Sequence, residues 1–247
     1  MPFFTQLVGV ALPYLTLVVF VGGSVYRIVR LARAPQHLHW ELFPYPHNIG
    51  EQLRELVAEV VSLRSLYLYK RKLWGRSLLM HWGLYLLIVW VLLMLVGLGE
   101  TIPLTPVAFL GGAAACLGAA LLLLFRLTDP EMRGITGLAD CLNLGLVAVV
   151  PLVGLVSGFF ARAEEIRTYL AGVFAFHPLP PADLVFSVNL LLIQLFLLHL
   201  PAGRMIHFAA KYFTYHEVKW GELKRGQPEA NEVGWGQSGR GEVGTHA

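Results

Sequence analysis

The sequence predicts an all-α integral membrane protein, a bundle of five transmembrane helices. The chain has 247 residues, of which 56% are hydrophobic and only 14% charged, a composition outside the range of soluble globular domains. Five apolar segments reach the roughly 20 residues that are needed to cross about 30 Å of hydrocarbon. The predicted spans are residues 2–26, 77–98, 106–127, 138–160 and 182–200. The first span follows no signal-peptide pattern, so we expect a retained helix.

The distribution of positive charge predicts the orientation of the bundle. Of the 19 Lys and Arg residues, only Arg162 and Arg167 fall between the fourth and fifth spans. The others lie between spans one and two, at the end of span three or in the connection after it, or after span five. Because short positively charged loops stay on the cytoplasmic side, we expect the N-terminus outside and the C-terminus in the cytoplasm.

The connection between the first two spans, residues 27–76, is predicted to lie on the cytoplasmic side. Within it, apolar residues recur at helical spacing over residues 51–73, which indicates an amphipathic helix on the membrane or against a cytoplasmic subunit. The cations Lys70, Arg71 and Lys72 are read as an anchor or as a docking surface for an acidic partner. His37, His39 and His47 are read as surface residues, with metal binding as the alternative.

The remaining predictions concern packing and domain organisation. The run GGAAACLGAA in span three is suited to tight helix packing or to the flat edge of a planar cofactor. Cys116 and Cys141 form no cluster and are read as packing thiols. Span five is expected to continue as one helix to Trp220. We therefore expect one membrane domain over residues 1–220 and a flexible cytoplasmic tail over residues 221–247.

Histidines in two separate spans carry the functional prediction. His81 lies near the cytoplasmic start of span two, and His207 lies at the cytoplasmic end of span five. A histidine inside an apolar helix usually faces a partner, a cofactor or water, because exposing it to lipid is costly. Two imidazoles on opposite faces of a porphyrin would make a six-coordinate bis-histidine haem b, which moves electrons. Arg76 and Arg204 are candidates to pair with the haem propionates.

His199 is the alternative ligand on span five. It precedes His207 by eight residues, which in a continuous helix places it about 12 Å deeper and rotated by about 80°. Both residues therefore cannot bind one iron opposite His81. If His199 is not a ligand, it is suited to a quinone carbonyl or to a polar contact between helices.

The five-span layout, His81 and the segment RMIHFAAKYF resemble the cytochrome b (gamma) subunit of respiratory nitrate reductase. The segment HLPAGRMIH and the long cytoplasmic connection are more similar to relatives that accompany heterodisulfide-reductase-like iron-sulfur proteins. The resemblance implies that His81 and His207 hold the haem nearer the cytoplasm. Val91 and Asn189 stand where that family has its second histidine pair, which implies one haem b instead of two.

The resemblance implies a subunit of the respiratory chain in the prokaryotic cytoplasmic (inner) membrane. It would transfer electrons between menaquinone or another quinone and a cytoplasm-facing iron-sulfur subunit. With a single haem, we expect the quinone site near that haem, with His199 and Tyr85 as weak candidate contacts. A haem-free membrane anchor and a small transporter are the alternatives; the lack of visible internal repeats argues against the transporter. Nothing in the charge pattern resembles a nucleic-acid surface.

Overall fold

The computed structural model describes residues 2–33, 48–98, 103–181 and 183–213. These residues form helices and contain no strand. The helices are α1 (Pro2–Gln6), α2 (Leu12–Ala32), α3 (Ile49–Ser62), α4 (Arg64–Tyr69), α5 (Arg71–Leu95), α6 (Thr105–Thr128), α7 (Pro130–Ile135), α8 (Leu138–Val156), α9 (Ala163–Phe174), α10 (Leu184–Ala202) and α11 (His207–Phe213). A π-helical turn, Leu7–Ala11, joins α1 to α2, and two short 3-10 turns, Phe159–Ala161 and Arg204–Ile206, follow α8 and α10.

The structure confirms five helices that are long and apolar enough to cross a membrane. They are Phe3–Ala32, Arg71–Leu95, Thr105–Thr128, Leu138–Val156 and Leu184–Ala202. Their outer faces are apolar, as contact with lipid requires: Val18 is 68% exposed and Leu110 is 66% exposed. The short helix α9 also appears in the connection before α10.

Close contact between α5 and α6 forms the tightest part of the bundle. A Cβ atom added at Gly83 of α5 would lie 2.7 Å from both the Cα of Ala115 and the carbonyl oxygen of Gly111, and closer still to the Ala115 nitrogen. A Cβ at Gly118 would lie 2.7 Å from the Cα of Met80. The small-residue face of α6 therefore serves helix packing, which is the first of its two sequence interpretations.

Arg27 joins α2 to the C-terminus of α10, and these contacts define one end of the bundle. Its guanidinium donates to the carbonyl oxygens of Pro201 (3.1 Å) and Ala202 (3.0 Å). Because the membrane helices run alternately up and down, α5 and α8 begin at this end and α6 finishes there. We call this end, with its cations on α2, α5 and α6, the basic end; the expected placement in the cytoplasm stays a prediction.

Two helices predicted as continuous are broken, and both predictions were wrong. The predicted helix over residues 51–73 is interrupted at Leu63, which has a left-handed φ of 51°, and again at Lys70. The fifth span was expected to run on to Trp220, but α10 ends at Ala202 and Gly203 is extended. Pro201 contributes no N–H to the helix, and the Arg27 guanidinium occupies the last carbonyl oxygens.

Residues 34–47, which include His37, His39 and His47, lie outside the described residues, as does the tail from residue 214. The predictions made for them therefore stay predictions.

Candidate functional site

Helix α5 holds His81 in one defined tautomer. The Nδ1 atom lies 2.7 Å from the backbone carbonyl oxygen of Ser77, one turn earlier. Because a carbonyl oxygen only accepts, Nδ1 must carry the proton. In the neutral imidazole the Nε2 atom therefore keeps its lone pair, which is the arrangement that a histidine needs to ligate a metal through Nε2.

The break after α10 places His207 opposite His81. His207 is the first residue of α11 and is exposed at the surface of the bundle. The centres of the two imidazole rings are 6.0 Å apart and their planes are inclined at 78°. The sequence-predicted pair is thus brought together from two helices that are far apart in the chain.

This separation can be compared with the separation that a shared metal ion requires. An imidazole nitrogen binds a metal at about 2 Å and the ring centre lies about 1 Å beyond it, so two rings on opposite sides of one ion have centres about 6 Å apart. The described residues contain no group of three or more His, Cys, Asp or Glu side chains suited to hold a metal ion. Two imidazoles without further protein ligands fit haem iron, because the porphyrin supplies the other four nitrogens.

The last turn of α3 lies against α5 beside His81. The aromatic side chains of α5 satisfy its final carbonyl oxygens: Tyr85 donates to Val60 (3.0 Å), Trp82 to Val61 (3.1 Å) and Trp74 to Ser62 (2.7 Å). These carbonyl groups have no partner within α3, since a helix leaves its last four unsatisfied. The Tyr85 ring also lies 6.2 Å from the His81 ring.

Glu59 connects the same turn of α3 to the helix that carries His207. One carboxylate oxygen accepts from the ammonium group of Lys211 on α11 at 2.8 Å. The other accepts from the Ser65 backbone N–H (2.7 Å) and hydroxyl (2.8 Å). Burial by itself raises the pKa of the Glu59 carboxyl, but the hydrogen bonds from Lys211 and Ser65 outweigh it, so the pKa lies below its usual value.

His199 on α10 is engaged in a contact with α8. Its Nε2 atom lies 2.6 Å from the side-chain oxygen of Asn143 on α8. The polar contact between helices that the sequence left open is therefore present. Tyr85, the other candidate quinone contact, donates its hydroxyl to Val60 as described above.

The two arginines predicted near the propionates have different outcomes. The Arg76 guanidinium lies 4.5 Å from the centre of the Phe125 ring on α6 and donates to the Lys72 carbonyl oxygen. Its described contacts are thus on the α6 side of α5 and not with either histidine. The Arg204 backbone lies in the 3-10 turn before His207, but its side chain is outside what the structure describes.

No protein-family model and no curated protein matches this chain. The contacts of the described residues are therefore the basis for assigning a function.

The opposite end of the bundle is filled by a packed core at the positions that the resemblance assigns to a second histidine pair. Val91 packs on a cluster that includes the buried residues Trp90 and Phe160. Asn189 is 3% exposed and donates to the Ser157 hydroxyl (3.0 Å) and the Val185 carbonyl oxygen (2.8 Å). These contacts leave Val91 and Asn189 as ordinary packing residues.

Sequence reasoning missed Glu59, Lys211 and Ser77. Glu59 carried a detectable signal, because it lies three residues after Leu56 and four before Leu63, within the apolar stripe of the amphipathic helix. An acid in such a stripe is costly unless it has a buried partner. The identity of that partner, 152 residues away, has no local signal.

Proposed function

We propose that this chain is a haem b subunit of a membrane oxidoreductase, which exchanges electrons between a quinone in the bilayer and an iron-sulfur partner at the basic end. The observation that carries the proposal is that His81 and His207, on two different helices, have imidazole ring centres 6.0 Å apart. When bound, haem b would supply reversible one-electron transfer without an open site for substrate.

The chain's own residues have separate roles in this proposal. His81 and His207 would hold the haem iron through their imidazole nitrogens. The Ser77 carbonyl oxygen lies 2.7 Å from His81 Nδ1 and accepts its hydrogen bond, which would leave Nε2 as the nitrogen that binds a metal. His199 is assigned an interhelical contact with Asn143, which favours His207 over His199 as the second ligand.

The packed opposite end supports a single haem. Trp90, Phe160 and their neighbours fill the opposite end of the bundle. Among the described residues, the His81–His207 pair at the basic end is therefore the one candidate haem site. Electrons would then enter and leave near that end, so we place the quinone close to the same haem, with Tyr85 as a candidate contact.

Unpaired cations at the basic end support an acidic, electron-accepting or electron-donating partner there. Arg71, Lys72 and Arg76 line an open cleft of about 470 Å³ beside Trp74. Among the described residues no carboxylate forms an ion pair with these three cations. Complementary charge of this kind steers and orients a partner.

A reduced-minus-oxidised spectrum and a pyridine haemochrome assay on the purified protein test the proposal. We expect one haem b per chain in the wild type, loss of that haem in His81→Ala and His207→Ala, and its retention in His199→Ala. The His199 variant is the matched control, because it removes an imidazole from the same region of the chain. A folded wild type without haem would refute the proposal and favour a membrane anchor.

A further inference from the structure

The last turn of α3 contacts both helices that carry the histidine pair. On one side it receives hydrogen bonds from Trp82 and Tyr85 of α5, which lie one and four residues after His81. On the other side Glu59 receives a hydrogen bond from Lys211 of α11, four residues after His207. Helix α3 itself contributes no imidazole to the pair.

Helix α11 needs an anchor of this kind. It has seven residues and follows the extended residue Gly203 and a 3-10 turn. A helix this short is not stable in isolation, so its position depends on tertiary contacts. The turn before it is held by Ile206, which is 8% exposed, and α11 packs against α2. The ion pair between Lys211 and Glu59 attaches α11 to α3.

The geometry of this ion pair couples it to the orientation of His207. Residues four apart lie on the same face of a helix, so Lys211 and His207 point to the same side of α11. The Glu59 side chain is only 5% exposed, whereas that of Lys211 is 33% exposed. Ser65 donates two hydrogen bonds to the second oxygen of the carboxylate, which fixes the position of the Glu59 side chain. The position of the Lys211 ammonium group then depends on that of the carboxylate.

We propose that Glu59 and Lys211 are positioning residues for the histidine pair: the last turn of α3 links α11 to α5 and thereby sets the separation and the near-perpendicular orientation of the two imidazoles. This inference rests on the proposed haem ligation for its spectroscopic consequence. Its structural part, the attachment of α11 to α3, concerns the protein alone.

The spectroscopic test uses the haem-loaded protein. Imidazole planes inclined at 78° predict a strongly anisotropic low-spin ferric EPR signal, whereas nearly parallel planes give a rhombic one. In Lys211→Met and Glu59→Gln we expect that signal to move toward the rhombic form or to split. We also expect haem to be retained about tenfold more weakly, because loss of one charge-assisted hydrogen bond changes an affinity by about that factor. Lys211→Arg should restore both, and Glu131→Gln, an exposed carboxylate of α7, should change neither.

The structural test uses spin labels and needs no haem. Labels at Val57→Cys and Tyr212→Cys, both exposed positions, are placed in a chain with Cys116→Ser and Cys141→Ser. We expect a narrow distance distribution that broadens with Lys211→Met and narrows again with Lys211→Arg.

The two tests separate the possible failures. An unchanged distribution and an unchanged EPR signal in both ion-pair variants would overturn the positioning role. A wild type that lacks haem but broadens with Lys211→Met would refute the proposed function while supporting the attachment of α11 to α3.

Discussion

Replacing Gly83 by alanine should push α5 and α6 apart. The added Cβ would lie 2.7 Å from two backbone atoms of α6, where ordinary contact begins at 3.4 Å. Backbone atoms cannot rotate away as the end of a side chain can, so the helices must separate by up to about 1 Å, at the 1–3 kcal/mol typical of overpacking. Alanine's better helix propensity, about 1 kcal/mol, offsets part of that cost. We expect a net loss of up to about 2 kcal/mol in unfolding free energy.

Gly145→Ala is the matched control, because it makes the same change in membrane helix α8 where no atom lies within 4 Å of the added Cβ. That variant should be as stable as the wild type or up to about 1 kcal/mol more stable. The assay is equilibrium unfolding in mixed micelles, followed by circular dichroism. Equal stability of Gly83→Ala and Gly145→Ala would refute the reasoning that α5 and α6 meet at backbone contact distance.

Two further changes test the ends of α10. Arg27→Met removes both hydrogen bonds to the carbonyl oxygens of Pro201 and Ala202, so the free energy of unfolding in the same assay should fall by about 1–3 kcal/mol. Arg30→Met, on an exposed face of α2, should change that free energy little. Equal effects of the two variants would contradict a stabilising role for the Arg27 hydrogen bonds. At the other end, Asp183 accepts from Arg162 and from the Phe186 N–H, and both lower its pKa. Its contribution is therefore present above the unfolded value of about 3.9 and is lost as the pH falls toward the lower folded pKa. Asp183→Asn should flatten the acid side of the stability curve, and an identical curve would exclude this carboxyl as its source.

How far the sequence anticipated the structure differs between elements. The five membrane helices were predictable because hydrophobicity over about 20 residues is a local property of the chain. Their ends were less predictable. Helix α5 begins at Arg71, six residues before the predicted start. Helix α8 ends at Val156 instead of residue 160, and Gly158 just beyond it takes a left-handed φ of 71°. Helix ends depend on capping contacts, which can come from anywhere in the fold.

The candidate site divides in the same way. His81 and His207 stood out because imidazoles are rare in apolar helices. The sequence predicted that His207 belongs to a continuous fifth helix. In the structure the helix is interrupted at Gly203 and a new helix begins at His207. The carbonyl oxygen of Pro201 just before this interruption is bound by Arg27, 174 residues earlier in the chain. The choice between two roles for His199 likewise depended on Asn143, which only the packing of α8 on α10 brings within 2.6 Å.

The sequence by itself determined the membrane helices, the charge asymmetry of their connections and the residue types available for ligation. All of these follow from local composition and spacing. Tertiary structure decided which histidines meet, that the small residues of α6 face α5, and that Glu59 reaches Lys211. The physical reason is that a side chain's chemistry is a property of one residue, whereas its partner is fixed by the free energy of packing whole helices together.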